Sequence, residues 1–165
     1  MSRSRRRTKA PVVVIFLTFV LAFSLNLISY PEWMRHAEPD WVLLVLFYWC
    51  LAVPDRVGVG LGWLAGLALD ILYYALLGQH AIAKAFVAFV AIVEYRHIRL
   101  YALWEQCIVV LLVASVDIGI TVWIYYVTSD IEIQLVYWQS ALTSCLLWPV
   151  VYTLLRLLRH RTGIR

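Results

Sequence analysis

Three ionisable side chains sit inside apolar runs of this chain: Asp70 in "GVGLGWLAGLALDILYY", Lys84 in "HAIAKAFVAFV" and Asp117 in "LLVASVDIGI". In a lipid medium each costs about 2.5–3.5 kcal/mol at mid-depth, so such groups turn inward and take partners. Two carboxylates at one depth can share a proton and act as an acid–base pair, as in intramembrane aspartyl proteases. The usual GxGD signature is missing, because "GLALD" has no glycine two positions before Asp70. A proton or solute relay through Asp70 and Asp117 is a second chemistry open to them, and an ion pair of Lys84 with either carboxylate is a third. Other chemistries lack residues. The sequence has no nucleophile triad, phosphate loop or metal-ligand spacing, so no catalytic, cofactor-binding or metal residues are expected. Cys50, Cys107 and Cys145 lie inside apolar runs and read as packing residues. His36, His80, His97 and His160 are scattered at the ends of those runs, as interface residues are.

The elements that must position these groups follow from composition. The chain has 165 residues, of which 64% are hydrophobic and 15% charged. A soluble domain is nearer half apolar with about a quarter charged, so the bilayer is the natural solvent. The basic "MSRSRRRTKAP" precedes an apolar run from Val12 to Tyr30. That run is too long for a signal-peptide core and no small-residue cleavage site follows, so it reads as an uncleaved first span. Beside a span the basic run marks a cytoplasmic flank, and nucleic acid is not an expected partner.

Six spans are expected, over about 12–30, 41–53, 57–77, 80–97, 105–127 and 135–158, in a single transmembrane domain with short basic termini. Pro31, Pro39, Pro54-Asp55, Gly78-Gln79, "YRHIRLY" and "TSDIE" separate them. The second is short for a crossing and reads as a thin or tilted span, with a re-entrant half-helix as the alternative. With the N-terminus inside, Arg3, Arg5, Arg6, Arg7, Lys9, Arg56, Arg96, Arg99, Arg156, Arg159, Arg161 and Arg165 face the cytoplasm, which is 12 of the 14 Lys and Arg. Only Arg35 falls outside, with the acidic "PEWMRHAEPD" and "TSDIEI". Trp and Tyr near the boundaries, such as Tyr30, Trp33, Trp41, Tyr101 and Trp104, make an aromatic belt.

At about 1.5 Å of rise per residue, Asp70 and Asp117 both stand roughly 18 Å from the cytoplasmic ends of their spans. Lys84 lies about 6 Å below the outer end of the fourth. Gly58, Gly62 and Gly66 precede Asp70 at steps of four, a small-residue stripe that admits a close neighbouring helix. Asp70 is therefore expected to point inward with the stripe and to bond a neighbour near Ser115 and Asp117, or Lys84. Pro149 after Trp148 removes a backbone donor inside the sixth span and is expected to kink it.

Several segments resemble one family. "PDWVLLVLFYWCLAVPDRVGVGLGWLAGLALD", "LGQHAIAKAFVAFV", "ALWEQCIVVLLVASVDIGI" and "LLWPVVYTLLRLLRHR" are similar, in this order, to the bacterial rod shape-determining protein MreD family, from about Pro39 to Arg161. The matching positions are Pro39, Trp41, Pro54, Arg56, Gly60, Gly62, Gly66, Asp70, Asp117, Trp148 and Pro149, and Lys84 falls at a basic position. The first span resembles the family only in hydrophobicity. The resemblance implies a non-enzymatic subunit of the bacterial inner membrane, in the elongation machinery that builds the lateral peptidoglycan wall. It implies MreC as direct partner, with MreB, RodZ, RodA and a penicillin-binding transpeptidase linked through the complex. It implies no cofactor, and a six-helix bundle similar to the substrate-binding subunits of energy-coupling-factor transporters. A solute-binding transporter subunit is the alternative. The first helix, the fifth helix and the glycine stripe are candidate contact surfaces, including for a homodimer.

Overall fold

The computed structural model describes residues 9–28, 37–129 and 135–163. The N-terminal basic run, the segment from Pro31 to His36 and "DIEIQ" up to residue 134 lie outside the described residues, as do the charge and belt assignments made on them.

Six α-helices form among the described residues: α1 (Lys9–Asn26), α2 (Trp41–Ala52), α3 (Val59–Leu72), α4 (Gln79–Ile98), α5 (Leu103–Ser129) and α6 (Gln139–Thr162). A short 3-10 turn, Leu135–Trp138, leads into α6. Among these, α5 and α6 are long and apolar enough to cross a membrane. The bundle is apolar on the outside: Phe16 is 65% exposed, Leu64 60%, Leu112 61% and Leu146 75%. Its buried side chains include Lys84, Asp70, Asp117, Gln79, Gln106 and Ser144. Apolar-out with polar-in is the arrangement lipid requires and water penalises.

The shortest helix is the most central. Every residue of α2 from Val42 to Ala52 is buried, and α1, α4 and α6 all pack on it. Its 12 residues span about 18 Å. It starts at Asp40, whose carboxylate accepts the Leu43 N–H at 2.9 Å, a side-chain cap on the first turn. It stops because Pro54 has no N–H and disfavours helical backbone at Val53 (φ −143, ψ 68). The chain then turns through Pro54 and exposed Arg56, with the Arg56 and Val57 N–H groups donating to the Val53 carbonyl at 3.0 and 3.1 Å. Two side-chain bonds tie α2 to α1. The Trp49 indole donates to Thr18 Oγ1 at 2.9 Å, and Asn26 Oδ1 accepts the Trp41 N–H at 3.2 Å.

The glycine stripe is where α3 meets α4. A Cβ on Gly62 would stand 2.7 Å from the Lys84 carbonyl oxygen and 2.9 Å from the Ala88 Cβ. On Gly66 it would collide with the His80 carbonyl and the Ala81 Cα. Gly58 lies at the looser end of the stripe, 3.7 Å from the Ile92 side chain, and Gly60 faces open space. The helix over 57–77 ends earlier than the sequence suggests, at Leu72. Tyr74 takes a left-handed backbone (φ 51) and Gly78 another (φ 105), so the chain reverses over 73–78. Pro149 sits within α6, which continues to Thr162. Trp148 beside it is fully buried, edge-on to Phe47 at 5.4 Å, and donates its indole N–H to Gln106 Oε1 at 3.3 Å.

Gly66→Leu should lower the thermal midpoint in detergent, since overpacking of this kind costs about 1–3 kcal/mol or more. Gly60→Ala should leave it unchanged. Equal midpoints for the two variants would show that α3 and α4 do not approach along the stripe.

Candidate functional site: a buried lysine between two carboxylates

The α4 helix carries Lys84 on its second turn, directed into the bundle with no exposed surface. Its Nζ donates to Asp117 Oδ2 of α5 and to Asp40 Oδ2 at the start of α2, each at 2.6 Å. One ammonium thus joins three helices. Asp40 is already fixed, because its Oδ1 caps α2 and its own N–H donates to Ser144 Oγ of α6 at 3.0 Å. Burial pushes the Asp40 carboxyl up, but Lys84 and the Leu43 N–H more than offset this and hold it below the usual carboxylate range. The sequence places Lys84 and Asp117 in reach of each other. Asp40 falls in the acidic loop that the sequence puts outside the membrane, so its pairing with Lys84 is not expected from sequence. The signal was present, since an aspartate directly before an apolar helical run is a cap, and a cap that faces the bundle is also a counter-ion.

Asp70 does not join this cluster. Its Oδ2 accepts the Gly78 N–H and its Oδ1 the His80 N–H, both at 2.8 Å, and His80 Nδ1 lies 2.9 Å from the same Oδ1. With a carboxylate as acceptor, Nδ1 is the donor. The expectation that Asp70 bonds Ser115, Asp117 or Lys84 across helices is corrected here. Because α3 ends at Leu72, Asp70 lies in its last turn and satisfies the open N–H groups that begin α4. Ser115 instead donates to the Leu111 carbonyl of its own helix at 2.8 Å. Asp70 and Asp117 are held by separate partners, so they do not form an acid–base pair.

Above the triad lies a cavity of about 380 Å³, lined by Glu38, Asp40, Tyr73, His80, Asp117 and Thr121 among others. Two carboxylates face one ammonium, so the triad has a formal charge of −1. Three buried oxygens on this cavity lack a hydrogen-bond partner among the described residues: Asp117 Oδ1, Thr121 Oγ1 and Glu38 Oε1. Burial, and secondarily the Asp40 charge, raises the Glu38 carboxyl above its ordinary range. The arrangement suits an occupant that brings hydrogen-bond donors or positive charge. Among the described residues no group of three or more His, Cys, Asp or Glu could hold a metal ion.

The opposite end of the bundle is basic. Arg99, just past α4, donates its Nε to the Leu51 carbonyl and its Nη2 to the Ala52 carbonyl at 2.8 Å, closing the C-terminus of α2. Arg99 also stacks on the Tyr95 ring at 5.1 Å. The sequence offers Arg99 only as a flanking charge.

Fold and site together define a helical membrane protein that buries its charges in satisfied clusters and turns its apolar side chains outward. The chain belongs to the MreD family: the family model described as rod shape-determining protein MreD matches residues 6–158. A "Rod shape-determining protein MreD" of Haemophilus influenzae is 34% identical over 149 residues, covering 88% of this chain and 90% of that protein. No solved structure matches.

Removing Lys84 leaves two buried carboxylates facing each other, whereas removing one carboxylate charge leaves a neutral pair. Lys84→Met should therefore destabilise the protein by about 3–5 kcal/mol, and Asp117→Asn by clearly less. Thermal unfolding in detergent reads the order. A Lys84→Met midpoint at or above that of Asp117→Asn would mean the triad is not formed.

Proposed function

We propose that the chain is a non-enzymatic subunit of the bacterial cell-wall elongation complex, required for rod shape and lateral peptidoglycan synthesis, and that it acts by binding MreC. The observation that carries this reading is family membership over nearly the whole chain, joined to a cavity that offers unfilled acceptors. The rod shape-determining role belongs to the family. The contact with MreC, and through it with MreB, RodZ, RodA and a penicillin-binding transpeptidase, is the proposal. We place the basic end of the bundle, with Arg99, Arg156 and Arg159, at the cytoplasm by the distribution of Lys and Arg. All six helices then cross the bacterial inner membrane as one domain, both termini are cytoplasmic, and the acidic cavity opens outward, on the side of MreC's periplasmic domain.

The alternation of the helices supports an even number of crossings. The acidic cavity takes Asn26 from the end of α1, Tyr73 just past α3, His80 from the start of α4 and Ser140 from the start of α6. The basic end takes Ala52, Arg99, Gln106 and Arg159, from the end of α2, the end of α4, the start of α5 and the end of α6. Successive helices therefore point opposite ways.

A solute-binding membrane subunit of a transporter is the second reading. The polar cavity and its unpartnered Asp117 oxygen favour it. Affinity purification of the full chain from a rod-shaped host separates the two. Recovery of MreC, lost with Thr121→Leu at unchanged abundance, supports the first reading, as does rounding of cells that carry only that variant. A co-purified ATPase pair without MreC, or normal rods after clean deletion, overturns it.

A further inference from the structure

The basic end holds a second and larger cavity, of about 670 Å³, among the C-terminal ends of α2, α4 and α6 and the start of α5. Arg99, Arg156, Arg159 and His160 line it together with Tyr48 and Tyr152, and among the described lining residues there is no carboxylate. We propose that this cavity holds a phosphate group carried by an anionic phospholipid of the adjoining leaflet.

The chemistry of the walls argues for an anion. Three guanidinium groups give a formal charge of +3 with His160 neutral. Helix C-termini repel anions through their exposed carbonyls, but here several of those carbonyls are occupied. Arg99 takes those of Leu51 and Ala52, and Gly163, in left-handed backbone, caps α6 with its N–H on the His160 carbonyl at 3.4 Å. Arg99 uses two N–H groups in this and keeps its charge, with donors of its fork left over. Arg159 and the Tyr48 hydroxyl interact within this wall. A planar guanidinium wall suits the paired oxygens of a phosphate.

The surroundings argue that the phosphate comes on a lipid. The turn from Arg99 to Gln106, which forms one wall, carries Leu100 at 84% exposure and Trp104 at 65%. On the α6 side, Leu154 and Leu157 are also exposed. An apolar rim beside a basic cavity fits acyl chains and headgroup at once, and basic pockets between membrane helices attract anionic lipids. A free phosphate would use the cavity and leave the rim bare.

Native mass spectrometry of the full chain in a neutral detergent tests this, with phosphatidylglycerol, phosphatidylcholine and inorganic phosphate as probes. Phosphatidylglycerol should bind at least ~10-fold tighter than phosphatidylcholine, and millimolar inorganic phosphate should not displace it. Arg156→Gln with Arg159→Gln should weaken phosphatidylglycerol ~10-fold or more. Arg156→Lys should retain most of the binding, and Arg96→Gln, at the same end but outside the cavity, should retain all of it. Because Arg159 also holds Tyr48, the single Arg156→Gln change, at an exposed position, gives the same direction without touching that bond. Equal binding of the two lipids, or no loss with Arg156→Gln, overturns the proposal. Ready displacement by inorganic phosphate overturns the lipid as its source.

Discussion

A single ammonium in an apolar bundle must have counter-charges, and much of this fold follows from how Lys84 finds them. Its two partners come from the start of α2 and from well inside α5. To bring both within 2.6 Å of one nitrogen, α4 must lie between those helices. Apolar packing alone would leave the rotation and height of each helix loosely set, since lipid competes with helix faces for the same contacts. A charge triad has little tolerance: a small slide of α5 along its axis would leave Asp117 and Lys84 unpaired in a medium that does not solvate them.

The same helix fixes α2 at both ends. Lys84 and Arg99 are 15 residues apart on α4 and its cap, about 22 Å at helical rise. The intervening α2, about 18 Å long, fits between them with Asp40 bonded to Lys84 and its last carbonyls bonded to Arg99. A helix of 12 residues is short for a bilayer, and its polar ends would be poorly placed in lipid. Here α4 supplies a cation at each end and neighbouring helices cover the rest. Its shortness is thus tolerated because the helix is internal, and internal position explains why it is apolar all round, without an amphipathic face.

Much of the architecture was legible in the sequence. Apolar runs and breakers located all six helices, and the spacing of Gly62 and Gly66 identified a close-packed face. What the sequence withheld depended on where a helix stops. The third apolar run continues to Leu77, but the backbone reverses from Tyr73, so Asp70 moves from mid-helix to a terminus and its role changes from cross-helix partner to cap. Hydropathy is blind to such an end, because Tyr, Ala and Leu read alike in a turn and in a span. Asp40 and Arg99 were missed for the complementary reason. Each lies just outside an apolar run, where charge is ordinarily solvated, and only the packing of α2 inside the bundle makes them buried partners.

Charge is also sorted between the two ends of the bundle. Glu38, Asp40 and Asp117 line the cavity at one end, with Lys84 bonded to the two aspartates, and Arg99, Arg156 and Arg159 line the cavity at the other, with no carboxylate among its described lining residues. The two ends differ in how complete they are. At the basic end Arg99 takes the Leu51 and Ala52 carbonyls and Gly163 caps α6, so the surplus there is positive charge. At the acidic end Asp117 Oδ1, Thr121 Oγ1 and Glu38 Oε1 are buried without partners among the described residues, and each such group carries a cost of about 1–3 kcal/mol until a donor reaches it. A bundle that satisfies its buried lysine this fully has no packing reason to leave three acceptors on one cavity open. Their complement is a hydrogen-bond donor, which water entering the cavity or a bound group supplies.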